Sequence, residues 1–186
     1  KYEFGQSRPY DWSFDYYFSS PTLFDNHVLI GAKDGYVYKI NQQTGKPVWK
    51  FKSEGIVRST PAVKDGMVFF GDTDGILYAI DLLSGKETWR YLTVGNGLKN
   101  EDFGFDRRAI ISSPVIKNDI VVFGCRDGFM YAINRNTGKE LWRVDHQVSW
   151  VISSPAIVEN TVVTGTSDGR FVQAVDLQTG KEIWKH

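Results

Sequence analysis

Apolar residues in this chain come in short bursts bounded by turn residues, and the bursts recur in one register. The runs VLIG (28–31), VFFG (68–71), VVFG (121–124) and VVTG (162–165) each close on glycine. Three residues later an Asp-Gly pair, the preferred composition of a tight hairpin turn, opens a second run at Asp34, Asp74, Asp127 and Asp168. A second turn then ends in Gly-Lys, and a tryptophan stands four residues after its glycine: Gly45 to Trp49, Gly85 to Trp89, Gly138 to Trp142 and Gly180 to Trp184. Upstream, a Ser/Thr-Pro step places Pro21, Pro61, Pro114 and Pro155 thirteen residues before each turn aspartate. Each unit therefore holds four strand-length runs separated by turn chemistry. No window keeps a helical spacing of apolar residues without a Gly or Pro interrupting it.

A unit of about 40 residues with four strands is the signature of a propeller blade. The pattern predicts an all-β chain of four-stranded antiparallel blades at about 19–52, 59–92, 112–145 and 153–186. An aromatic segment or partial blade precedes them at 1–18. The joint between Trp89 and Pro114 is twenty-five residues long, where the other two joints need twelve and thirteen. That excess predicts an insertion loop at about 92–108, and insertions in repeat arrays project from one face. The fourth copy carries one extra residue between Gly169 and Gly180, which a β-bulge near Arg170 to Gln173 would absorb.

The segments AIDLLSGKETW, AINRNTGKELW and AVDLQTGKEIW resemble the tryptophan-docking motif of the quinoprotein-like (PQQ-like) propeller repeat family. The resemblance covers nearly everything after Ser19. It implies that each of Trp49, Trp89, Trp142 and Trp184 packs over the glycine of its own motif (Gly45, Gly85, Gly138, Gly180) and against the next blade. Copy one departs from the pattern, with Lys39 where the others have Ala79, Ala132 and Ala174. Members usually have seven or eight blades, so four blades read as half a ring, completed by further sequence or by a second copy about a two-fold axis. The non-enzymatic branch includes a lipoprotein of the bacterial outer-membrane barrel-assembly machinery, which implies a periplasmic or cell-surface location.

Composition narrows the function. With 22 basic and 22 acidic residues and no long run of either sign, the chain lacks the footprint of a nucleic-acid groove. No apolar stretch approaches the ~18 residues of a membrane helix. Cys125, the one cysteine, follows Gly124 in strand register and reads as a packed thiol. The chain starts at Lys1 without Met, which fits a processed protein or a piece of one.

Three chemistries compete. Asp72, Asp74 and Asp81 suggest a calcium loop, but their spacing does not match alternating oxygen ligands, and Asp-Gly recurs as a turn. Quinone redox catalysis, which the family invites, uses an adjacent cysteine pair in many members, and Cys125 has no such neighbour. The expectation is therefore a non-catalytic scaffold for a protein or peptide, with no catalytic, metal or cofactor residue nominated. The alternatives are a small-molecule sensor using Arg58, Arg108 and Trp150, or a fragment of a PQQ-dependent dehydrogenase. Residues at the joints cross one end of a propeller near its axis, so Tyr16, Arg58, Phe103, Phe105, Arg108 and Trp150 form the candidate face.

Overall fold

The computed structural model describes residues 2–9, 18–99, 102, 105–147 and 149–186. Among them, sixteen strands form four sheets, each a meander of four antiparallel strands in sequence order. Blade one holds β1 (Thr22–Phe24), β2 (His27–Gly31), β3 (Tyr36–Asn41) and β4 (Pro47–Lys52). Blade two holds β5 (Ala62–Lys64), β6 (Met67–Gly71), β7 (Ile76–Asp81) and β8 (Glu87–Leu92). Blade three holds β9 (Val115–Lys117), β10 (Ile120–Gly124), β11 (Phe129–Asn134) and β12 (Glu140–Asp145). Blade four holds β13 (Ala156–Val158), β14 (Thr161–Gly165), β15 (Val172–Asp176) and β16 (Glu182–Lys185). A 3-10 turn spans Val94–Gly97.

The turn before each tryptophan is built by its side chains. Asp81 Oδ1 accepts the Ser84 N–H and hydroxyl, at 2.7 and 2.6 Å. Asn41 with Thr44, Asn134 with Thr137 and Asp176 with Thr179 repeat the arrangement. The next residue must adopt φ near +70°, which glycine does without strain, and Gly85 sits at +67°.

Apolar side chains alternate between the two faces of the inner strands, and the faces pair between blades. One cluster joins Leu29 and Val37 of blade one to Val68, Phe70, Tyr78 and Ile80 of blade two. A second joins Phe69, Leu77 and Ala79 to Val121, Phe123, Tyr131 and Ile133. A third joins Val122, Met130 and Ala132 to Val162, Val175 and Leu177. Among the described residues no cluster joins blade four back to blade one. The array is thus an open run of four blades.

The tryptophans tie the blades together, with a different partner from the expected one. The indoles of Trp49, Trp89 and Trp142 cover the glycine of the following repeat, not of their own. A Cβ on Gly85 would lie 2.7 Å from Trp49, and on Gly138 or Gly180 it would lie 2.8 Å from Trp89 or Trp142. The indole N–H groups of Trp49, Trp89 and Trp142 donate to the Leu82, Arg135 and Leu177 carbonyls, at 3.0, 2.9 and 2.9 Å. Lys39 does not disturb this contact. Its ammonium, buried, donates to the same Leu82 carbonyl at 3.0 Å.

The Ser/Thr-Pro steps form a second tie that the sequence reading did not foresee. The first hydroxyl latches its own blade: Ser59 Oγ accepts the Gly71 N–H, and Ser112 and Ser153 do the same for Gly124 and Gly165. The second links neighbours. Ser20 N–H donates to Thr60 Oγ1 (3.1 Å), Thr60 N–H to Ser113 Oγ (2.9 Å), and Ser113 N–H to Ser154 Oγ (3.0 Å).

The extra residue of the fourth copy does not make a bulge inside a strand. It widens the turn before β15, where Thr166 N–H bonds the Phe171 carbonyl and Arg170 takes φ +52°. The register shift in that blade, between Ala174 and Val175, is shared by every blade.

Candidate binding face at the crossover end

Chain leaving the last strand of one blade passes beneath the next, and a buried carboxylate of that next blade receives its amides. Asp72 Oδ2 accepts the Gly55 N–H (2.8 Å) and the Tyr78 hydroxyl (3.1 Å). Its Oδ1 accepts the N–H groups of Asp74 and Ile76, both at 3.0 Å. Asp127 does the same for Gly95 (2.9 Å), Tyr131 (2.6 Å) and Phe129 (3.0 Å). Burial pushes the Asp72 carboxyl up to about 6 and raises Asp127 as well. The tyrosines are raised too, chiefly by burial. At the joint into blade four the contact is instead between His146, in the chain leaving β12, and Gln173 of β15, whose Nε2 and Oε1 are 2.6 Å apart, and burial lowers the His146 pKa.

The Asp-Gly aspartates are therefore more than turn residues. In the first and third copies the turn aspartate itself holds the crossover. In the second, Asp72 takes that part from two positions upstream, and Asp74 pairs with Arg108 at 3.4 Å. These two lie at the opposite end of β7 from Asp81, about 17 Å away at strand rise, so the three acids of the calcium reading do not converge.

Residues 2–9 take the place of a crossover. Gly5 N–H donates to Asp34 Oδ2 at 2.8 Å, the bond that Gly55 and Gly95 make in later blades. Tyr2 and Phe4 rest on the Tyr38 ring at 5.5 and 5.0 Å, and the Arg8 guanidinium donates to the Asp34 carbonyl and to those of Ser53 and Glu54. No strand lies in residues 2–9. The sequence signal was available: DWSFD at 11–15 returns as DFGFD at 102–106. Long joints thus precede blades one and three, and short joints precede blades two and four.

The insertion is anchored at both ends. Thr93 donates its hydroxyl to the Gly75 carbonyl, and Asn96 reaches the Asp74 carbonyl at 2.8 Å. At the far end Asp106 and Arg126 form a buried ion pair at 3.2 Å. The Arg126 guanidinium lies 4.0 Å over the Trp150 ring, and Phe105 meets the same indole edge-on at 5.5 Å. Phe105 remains 39% exposed, so the cluster presents an apolar edge held from below by charge. Arg107 donates to the Asp127 carbonyl at 2.8 Å.

Of the candidate face, the structure brings Phe105 and Trp150 together and sets Arg108 beside Asp74. Arg58 is buried at 3% exposure. Tyr16 and Phe103 lie outside the described residues, as do Trp12 and Phe14. A cavity of about 200 Å³ opens between the joints, lined by Arg8, Glu54, Gly55, Thr73, Asp74 and Arg108. Sequence reasoning missed Arg126 and Asp106, whose partnership spans twenty residues and has no local pattern. Cys125 is fully buried, and burial raises its thiol. Among the described residues no helix is long and apolar enough to cross a membrane.

The sequence model of the family described as outer membrane protein assembly factor BamB matches residues 11–101 and 100–186. The chain belongs to this family of PQQ-like repeats. Its fold is similar to that of BamB from Moraxella catarrhalis, at TM-score 0.72 and 18% identity, covering 89% of this chain and 47% of that one. It is also similar to the quinohemoprotein alcohol dehydrogenase of Comamonas testosteroni, at TM-score 0.74 and 19% identity, over 91% of this chain and 34% of the other. The beta-alanine-activating enzyme of Danio rerio is 28% identical over 120 residues, 64% of this chain and 10% of the enzyme. The chain therefore spans about half the length of the BamB structure and a tenth of the fish enzyme. The two structural likenesses establish a shared propeller fold.

Proposed function

We propose that this propeller array is a non-catalytic scaffold that binds a protein or peptide through its crossover face. The observation that carries the reading is the Phe105–Trp150–Arg126–Asp106 cluster. Its exposed ring is supported by a second ring, a buried cation and a buried anion, so little side-chain freedom is lost when a partner covers it. Aromatic residues and arginine in a supported patch are the usual anchors of protein recognition. The flanking charges are already engaged: Arg108 faces Asp74, and Arg126 faces Asp106. A polar rim around an apolar anchor suits a peptide better than a small charged molecule.

Membership of the BamB family supports a partner within an outer-membrane protein assembly, and with it a periplasmic or envelope location. The likeness to a quinohemoprotein dehydrogenase supports the fold and not that chemistry here. The test is site-specific photo-crosslinking in an envelope preparation, with the probe at Phe105 and a control at Leu83, which is 79% exposed in the β7–β8 turn. A discrete adduct at Phe105, lost with Trp150→Ala and absent at Leu83, is expected. Equal adducts at both sites, or none at Phe105, would remove the crossover face as the binding surface.

A further inference from the structure

We propose that two copies of this chain join head to tail and close one ring of eight blades. The argument begins with what each internal seam contains. An outgoing tryptophan covers the next repeat's glycine and donates to the carbonyl just past the aspartate or asparagine of that turn. An outgoing amide before the proline meets a hydroxyl in the next blade. An outgoing apolar sheet face meets an incoming one.

The two outer faces carry the complementary halves of that set. Blade four presents Trp184, 40% exposed, whereas Trp142 at the matching position is 8% exposed. Blade one presents Gly45, where a Cβ would meet nothing within 4 Å, while Gly85, Gly138 and Gly180 are each covered. The carbonyl in register with Leu82, Arg135 and Leu177 is that of Gln42. Ser154 N–H is the donor that would continue the hydroxyl chain, and Ser20 Oγ is the matching acceptor. On the sheet face, Val172 is 45% exposed where its counterpart Leu77 is fully buried. Val28 and Ile30 are likewise half-buried where Val68 and Phe70 are sealed.

A second copy carries both complementary halves and continues the pattern of the joints. Within the chain they run long, short, long, short, and a head-to-tail copy follows the short joint before blade four with the long segment before blade one. The alternation then continues unbroken around the ring. The size agrees, because this chain covers 47% of a BamB chain of the same fold. Because each copy offers one outgoing and one incoming face, a two-fold axis satisfies both seams at once and leaves no open face. With equal acidic and basic content, net charge does not oppose the contact.

Light scattering on the purified chain is expected to give twice its 21.2 kDa mass. Trp184→Ala and, separately, Val172→Glu should halve that mass while leaving the strand signal in circular dichroism. The arrangement is read directly by a Ser20→Cys, Ser154→Cys double variant, which should form a covalent dimer on oxidation. Cys125 is buried and stays silent. A monomer at every concentration overturns the proposal and leaves the two faces to other protein. A dimer that survives Trp184→Ala and Val172→Glu and forms no Ser20–Ser154 crosslink overturns it equally.

Discussion

Trp89 and Gly138 touch across a seam forty-nine residues apart in sequence, the indole lying where any β-carbon on the glycine would have to sit. The tryptophan belongs to blade two and the glycine to blade three, and the indole N–H bonds the Arg135 carbonyl three residues before that glycine. Each of the first three blades is therefore completed by its successor.

Removing the indole should be felt as a core cavity. Trp89→Ala is expected to lower stability by about 3–5 kcal/mol, the range for large aromatic deletions. Urea unfolding measures it, and a loss below about 1 kcal/mol would reassign Trp89 to the surface.

The glycine side of the contact separates steric fit from backbone strain. Gly138 and Gly66 both hold positive φ, at +70° and +75°, but only Gly138 has an indole over it. Gly66→Ala should cost about 1–2 kcal/mol for the left-handed backbone alone. Gly138→Ala should cost clearly more, and equal losses in thermal melts would show that the indole moves aside freely.

Asp106 neutralises a buried guanidinium. Asp106→Ala should destabilise the chain by about 3–5 kcal/mol, because Arg126 is left in the interior without its carboxylate. The same reasoning limits trimming of the insertion. Removing 92–107 would take away Thr93, Gly95 and Asp106 together, whereas replacing 98–104 with a short glycine linker should leave the melting temperature nearly unchanged. A large loss from the shorter deletion would place the loop's middle in the core.

Asp72 gives stability a pH dependence of defined sign. Its folded pKa of about 6 exceeds the ordinary value of 3.8, so the folded state holds the proton more tightly. The contribution is full below about pH 4 and is lost as pH rises towards 6, by on the order of 1–3 kcal/mol. Asp127, also raised by burial, acts in the same direction. Asp81 and Asp176 are lowered by their turn hydrogen bonds and act oppositely, losing stability as pH falls. As pH rises from about 4 to 6, the urea midpoint of the wild type should fall relative to that of Asp72→Asn. A pH-independent difference between them would refute the assignment.

The fold was legible because turn chemistry repeats without the help of tertiary structure. Asp-Gly, the Asn/Asp-to-Thr/Ser bond and the glycine at positive φ are each local, so four copies announce sixteen strands. Contacts between repeats were not legible in the same way. A Trp four residues after a glycine suggests that the two meet, yet in the twisted strand the ring points outward to the next blade's glycine. Likewise, sequence shows two hydroxyl residues before each proline but not that Ser59 serves its own blade while Thr60 serves the next. Asp72 was hidden by the repeat itself, since register aligns Asp74, and not Asp72, with Asp34 and Asp127. Arg126 stacks on Trp150 across a whole joint, beyond the reach of any local motif.

The alternation of long and short joints sets the natural unit of inheritance in this array. Two neighbouring blades, one preceded by a long joint that holds DWSFD or DFGFD and one by a short joint, form the smallest piece whose duplication preserves that order. Gain or loss of a single blade would set two long joints, or two short ones, in succession along the chain. A pair of blades is therefore the unit whose duplication would keep the alternation intact.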